Sequence, residues 1–215
     1  KSGVIVRIPE FPSIGVIPKP KPKWIDYETQ NKVIEEINSK DRPIFYLLTR
    51  IGCRPGEARA LQRRDFNFTK NEYGTVTIER AFSLDELSTT KTGRSRELVM
   101  HPELKEMLEK LAKQKIGPET FVFTNSKGKP YTYNQINKIW ARAAKKAKVD
   151  INCYAGTRHS VASQMLNNGV PELVVKAILG HQSLTMTGNY AHPSTKMMVE
   201  AWTTSAKVVE FKKTK

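Results

Sequence analysis

Apolar positions recur every three to four residues in "YETQNKVIEEIN", where Val33, Ile34 and Ile37 fall on one side. That is a helical period, and Asp26 just ahead of it is suited to cap the helix start. A second apolar run, "RPIFYLLTRIGC", reads as a helix stopped at Gly52. "RPGEARALQ" reads as a third, with Pro55 in its first turn. From Phe66 the spacing changes. β-Branched residues crowd "TVTIERAF" behind a "KNEYG" turn and predict a strand, with "KTGRS" as a hairpin tip and "RELVM" as the returning strand. Helical spacing resumes after Pro102 in "ELKEMLEKLAKQK", with Leu104, Leu108 and Leu111 on one face. "TFVFT" predicts a short strand and "NSKGK" a turn. "NQINKIWARAAKKAK" is strongly amphipathic, Ile136, Ile139, Trp140 and Ala143 facing in and lysines facing out. "TRHSVASQMLNNG", "PELVVKAILG" and "SLTMTGNYA" predict three helices, broken at Gly169–Pro171 and at Gly180, and 195–209 is weakly helical. The pattern adds up to an α+β fold, mostly helical, with a small antiparallel β-sheet inserted after the second or third helix.

The ends of the chain read differently. Residues 1–23 are Pro- and Lys-rich and finish in "PKPKPK", which is extended, semi-rigid sequence. They are expected to be a linker from an N-terminal domain outside this sequence, followed by one domain over 24–193 and a C-terminal tail over 194–215.

Charge narrows the function. The 215 residues carry 36 Lys+Arg against 21 Asp+Glu, a net charge of +15. Such an excess suits a polyanionic partner, most simply nucleic acid. Cys53 and Cys153 have no metal-ligand spacing, and no clustered Asp, Glu and His set suits a divalent ion, so a metal-dependent nuclease fits poorly. No apolar run approaches a membrane span and no signal peptide is visible, which points to a cytoplasmic setting.

Five polar residues stand out, and each has a plain structural role beside a chemical one. Arg54 sits between Gly-Cys and Pro-Gly-Glu; it pairs with Glu57, or it aims a rigidly held guanidinium at phosphate. Arg158 lies among small and hydroxyl residues in "AGTRHSVASQ" and is either a capping residue or a ligand-binding one. Lys91 on its hairpin tip is either solvated or poised to reach into a groove. His181 ends a helix at Gly-His, and Tyr190 follows nine residues later in a polar run. "NNGVPELVVKAILGH" also has the form of a helix-turn-helix, which admits a DNA-binding module without catalysis.

Taken together, "TRIGCRPGEARALQRRDF", "TKTGRSRELVM", "TRHSVASQMLNNGVPELVVKAILGH" and "TMTGNYAHP" resemble the tyrosine recombinases of the phage integrase family, from about Trp24 to Pro193. The resemblance implies a site-specific DNA recombinase, from a phage or another mobile element or for dimer resolution, encoded by a bacterium or phage. It implies that Tyr190 attacks a DNA phosphate to give a 3′-phosphotyrosyl link, with no cofactor, metal or ATP. Arg54 and Arg158 would grip the phosphate, His181 would donate a further hydrogen bond, and Lys91 would protonate the departing 5′-oxygen. Glu57 would orient Arg54, and His159 would support the site. Double-stranded DNA is the implied partner, with a homotetramer assembled through the C-terminal tail, whose Met197, Met198, Ala201, Trp202 and Val208 give it an apolar side. One position departs from the family: Ala155 stands where a His, sometimes a Lys, is usual. Variation there is tolerated, or Tyr154 or a water substitutes, or the protein is a catalytically weakened DNA-binding relative.

Overall fold

A computed structural model describes residues 23–83, 85–89, 95–180 and 195–211, with the backbone alone over 204–211. The first helix, α1 (Tyr27–Glu35), starts where the Asp26 carboxylate accepts the Thr29 N–H at 2.8 Å. α2 (Arg42–Ile51) buries Ile44, Phe45, Leu47, Leu48 and Ile51 and stops at Gly52, whose φ of 69° is the left-handed conformation that glycine adopts without strain. α3 (Pro55–Arg59) begins within three residues of that stop, so Cys53 and Arg54 are held between two helix ends.

The β region is more divided than its pattern predicts. β1 (Phe66–Asn67), β2 (Thr75–Ile78) and β5 (Arg96–Val99) form one antiparallel sheet in the order β1-β2-β5, with Ile78 opposite Arg96. β3 (Arg80–Ser83) and β4 (Glu86–Thr89) form a separate ribbon, Arg80 opposite Thr89. "TVTIERAF" is therefore two strands that part at Glu79, and the expected hairpin gains an extra ribbon. β4 was not expected because all four of its residues are exposed, so it has no buried face to write an alternating pattern. "TFVFT" is not a strand: Phe121 and Thr124 make only isolated bridges, to Gln62 and Pro130.

α4 (Lys105–Lys113) and α5 (Tyr133–Lys146) follow, the latter started by a reciprocal cap between Thr132 and Gln135. Trp140 of α5 is fully buried against Phe45 and donates its indole N–H to the Ile151 carbonyl at 3.1 Å. A π-helical turn, Ala155–His159, runs directly into α6 (Ser160–Asn167); α7 (Glu172–Leu179) ends at Gly180 with φ 66°. α8 (Thr195–Phe211) buries Met198, Ala201 and Trp202 against α1, α6 and β5 of the same chain. No helix of the described residues is long and apolar enough to cross a membrane.

Candidate active site

Three guanidinium groups and one carboxylate meet where α2, α3, β5 and α7 come together. Glu57, in the first turn of α3, is almost wholly buried and receives four N–H groups. The Arg54 backbone donates to Oε2 at 2.8 Å and its Nη1 to Oε1 at 2.9 Å. From β5, Arg96 Nη2 donates to Oε2 at 2.7 Å and Nη1 to Oε1 at 3.1 Å. Burial alone would raise the Glu57 carboxyl, but the Arg96 hydrogen bonds and charge, with Arg54 behind them, outweigh it and hold the group below the ordinary carboxylate range. Glu57 is thus a fixed anion whose lone pairs are all engaged, and Arg54 retains donors: its side chain is 33% exposed and faces solvent.

Arg158 is placed differently. It comes from the π-helical turn and its side chain is buried. Nη1 donates to the Gly52 carbonyl at 2.9 Å and Nη2 to the Leu179 carbonyl at 2.7 Å. Those carbonyls lie at the C-terminal ends of α2 and α7, so two helix dipoles direct their negative ends at one cation. Burial, and then the Arg54 charge, lower the Arg158 pKa, with Glu57 acting against them; a guanidinium tolerates this and keeps its proton at neutral pH. Its Nε–H is buried and has no partner among the described residues.

Among the described residues positive charge exceeds negative here, which is the condition for holding an anion. The left-handed glycines make the geometry possible. A Cβ on Gly52 would lie 2.9 Å from Leu179 Cδ2, and one on Gly180 would lie 2.8 Å from Arg96 Nη1. Cys53, next to Arg54, contributes no nucleophile: burial, then the Glu57 charge, push its thiol up to about 12.

The structure therefore brings Arg54, Glu57 and Arg158 together. Lys91, His181 and Tyr190 lie outside the described residues. His159 is exposed and meets the ring of Tyr154 edge-on, centroids 4.8 Å apart. Ala155 is buried in the hydrophobic core, while its neighbour Tyr154 is 42% exposed.

Arg96 is the residue that sequence reasoning missed. Besides Glu57, its Nε reaches the Ile178 carbonyl at 3.2 Å, so it joins β5, α3 and the end of α7. Nothing in "GRSRELV" separates Arg96 from Arg94 except its register opposite Ile78, which the pattern alone does not give.

A family model described as the phage integrase family matches residues 23–197. The tyrosine recombinase XerC of Oceanobacillus iheyensis is 25% identical over 191 residues, covering 86% of this chain and 61% of that protein. The tyrosine recombinase XerA of Pyrococcus furiosus is 29% identical over 194 residues, covering 86% of this chain and 62% of that protein. The chain thus spans about three fifths of the length of each. Among solved structures, the Tn1549 transposon integrase in complex with a circular intermediate DNA superposes with a TM-score of 0.65 at 19% identity, covering 90% of this chain and 67% of that one. That likeness is one of fold. With the family match extending over most of its length, the chain belongs to the phage integrase family.

Proposed function

We propose that this chain is the catalytic part of a site-specific DNA recombinase that cuts and rejoins strands through Tyr190. The observation that carries the reading is the buried Nε–H of Arg158, without a partner among the described residues, beside the solvent-facing guanidinium of Arg54. A buried donor without an acceptor costs free energy, and an oxygen of a phosphate is the acceptor that suits it. The relatives named above are tyrosine recombinases, which supports the same assignment.

In this reading the Tyr190 oxygen attacks the phosphorus and the phenol proton leaves to solvent. The bond from phosphorus to the 5′-oxygen breaks, and Lys91 protonates that oxygen. Arg54, Arg158 and His181 take the added negative charge of the five-coordinate phosphorus. Glu57 keeps Arg54 aimed without competing for the phosphate, because its own lone pairs are already filled. The 3′-phosphotyrosyl bond keeps the energy of the one it replaced, so a 5′-hydroxyl from a second strand reverses the step without ATP. His159 supports the turn from its outer face. Assembly as a homotetramer on double-stranded DNA belongs to the same proposal. Of the tail's apolar residues, Met198, Ala201 and Trp202 are buried in their own chain, so docking on a neighbouring protomer would fall to the exposed Met197 and to residues beyond Trp202.

The test is covalent trapping. The protein, with EDTA, is mixed with a randomised pool of nicked duplexes that lose a short 5′-hydroxyl piece on cleavage, then boiled in SDS and run on a denaturing gel. The expected result is a protein–DNA adduct that Tyr190→Phe abolishes. Salt-sensitive binding with no adduct would favour a DNA-binding protein of the same fold that lacks the chemistry.

A further inference from the structure

A buried amide cluster lies behind the turn that carries Arg158, and phosphate binding does not use it. Gln30 is on α1, fully buried next to the apolar Val33 and Ile34. Its Nε2 donates to the Gly156 carbonyl at 2.9 Å, and its Oε1 accepts from Gln164 Nε2 at 3.2 Å. The same Gln164 nitrogen donates to the Ile25 carbonyl at 2.8 Å. The Ile25 N–H donates to Ser160 Oγ at 3.0 Å, and that hydroxyl donates to the Ala155 carbonyl at 2.7 Å. The first two carbonyls of the π-helical turn, those of Ala155 and Gly156, therefore each accept a side-chain donor.

A π-helical turn is one residue wider than an α-helical one, so its carbonyls stand off the regular ladder and need other partners. Here the Ser160 N–H reaches back to Ala155. Relaxing the turn to α-helical spacing would rotate the residues on one side of it by about 100° about the helix axis. Arg158 would then leave the Gly52 and Leu179 carbonyls. A fully buried amide with both ends satisfied is an expensive way to fill a core position, and an apolar residue would serve if filling were all that was needed.

We propose that Gln30 is a positioning residue: it latches the π-helical turn and so fixes the Arg158 guanidinium. Through Gln164 and Ser160 the latch also grips both backbone groups of Ile25. The chain entering α1 is thereby seated on the element that carries the arginine. This rests on the strand-cleavage reading for its effect on activity, but not for its effect on geometry.

The test uses the full 215-residue chain, ¹⁵N-labelled, and follows the Nε–Hε signal of Arg158, identified by its loss in Arg158→Lys. Gln30→Leu keeps the volume and removes the amide. Val33→Ala, on the same helix, is the control that destabilises without touching the turn. Gln164→Met releases Ile25 and Gln30 Oε1 but leaves the Gly156 bond, and it decides the question if Gln30→Leu does not fold. Expected is a displaced or broadened Arg158 signal in Gln30→Leu, and a smaller change of the same kind in Gln164→Met. Adduct formation should slow on the order of 10- to 100-fold in Gln30→Leu, as for a misplaced catalytic group, with Val33→Ala unchanged in both readouts. An Arg158 signal that stays in place in the folded variants, with adduct rates matching Val33→Ala, would overturn the proposal. If the unmodified protein forms no adduct, the strand-cleavage reading fails while the signal still decides the role of Gln30.

Discussion

Arg96 clasps Glu57 through two hydrogen bonds, at 2.7 and 3.1 Å, on the same two oxygens that accept from Arg54. The carboxylate is therefore the common counter-charge of two guanidiniums, and removing it leaves both with no acid between them. Glu57→Gln should destabilise the protein by about 3 kcal/mol, the cost of breaking a buried ion pair. That lowers the melting temperature by roughly 10 °C for a domain of this size. The pH dependence has a defined sign. The folded carboxyl takes its proton below the unfolded value of 4.5, so its stabilisation is complete above that value and is lost as pH falls through the folded pKa. Denaturant titrations from pH 5 to pH 3 should show a shallower acid decline in Glu57→Gln.

His101 makes a second, separate pH window. It is buried, its Nδ1 accepts the Glu103 N–H, and burial, against the Glu103 charge, lowers its pKa from 6.5 to about 4. The unfolded chain binds this proton more readily, so stability from this group is full above pH 6.5 and falls as pH drops from 6.5 towards 4. The loss is about 3 kcal/mol at most. His101→Asn keeps an acceptor for Glu103 and should flatten unfolding free energy between pH 7 and pH 5.

Gly56→Ala should destabilise, against helix propensity. Alanine in a helix is worth about 1 kcal/mol over glycine. A Cβ on Gly56, however, would sit 2.4 Å from the Phe82 carbonyl oxygen, a backbone atom of β3. The expected net cost is about 1–3 kcal/mol, read as a lower melting temperature. The β3–β4 ribbon packs on α3 at this glycine, so adduct formation should fall with it.

Ala155→His should not strengthen catalysis. Ala155 belongs to the buried core, and a larger side chain there overpacks it at a cost of about 1–3 kcal/mol. Melting temperature and adduct yield should both fall. A rise in adduct yield would show that the imidazole reaches the phosphate after all.

Much of the fold was legible because it is written in apolar spacing and in glycine. α1, α2, α5 and α7 have buried stripes, and Gly52 and Gly180 mark helix ends with a conformation other residues avoid. β4 was illegible because nothing on it is buried. The candidate site was legible in part for a different reason: Arg54 and Glu57 are three residues apart, so their pairing is local. Arg96 comes from a strand 39 residues away and meets Glu57 only through the register of β5, which short-range pattern does not encode. The inward turn of Ala155 depends on a π-helical turn latched by residues of α1 and α6, and that too is tertiary information.

Two helices end on Arg158, and this makes the residue hard for the protein to lose. A change at that arginine strips the acceptors' partner from the ends of α2 and α7 and leaves a core position empty, besides removing the phosphate contact proposed for it. Folding and the proposed chemistry draw on the same side chain there. A copy of this gene drifting out of use would therefore keep its central arginine for the fold's sake, long after that residue had ceased to act on any substrate.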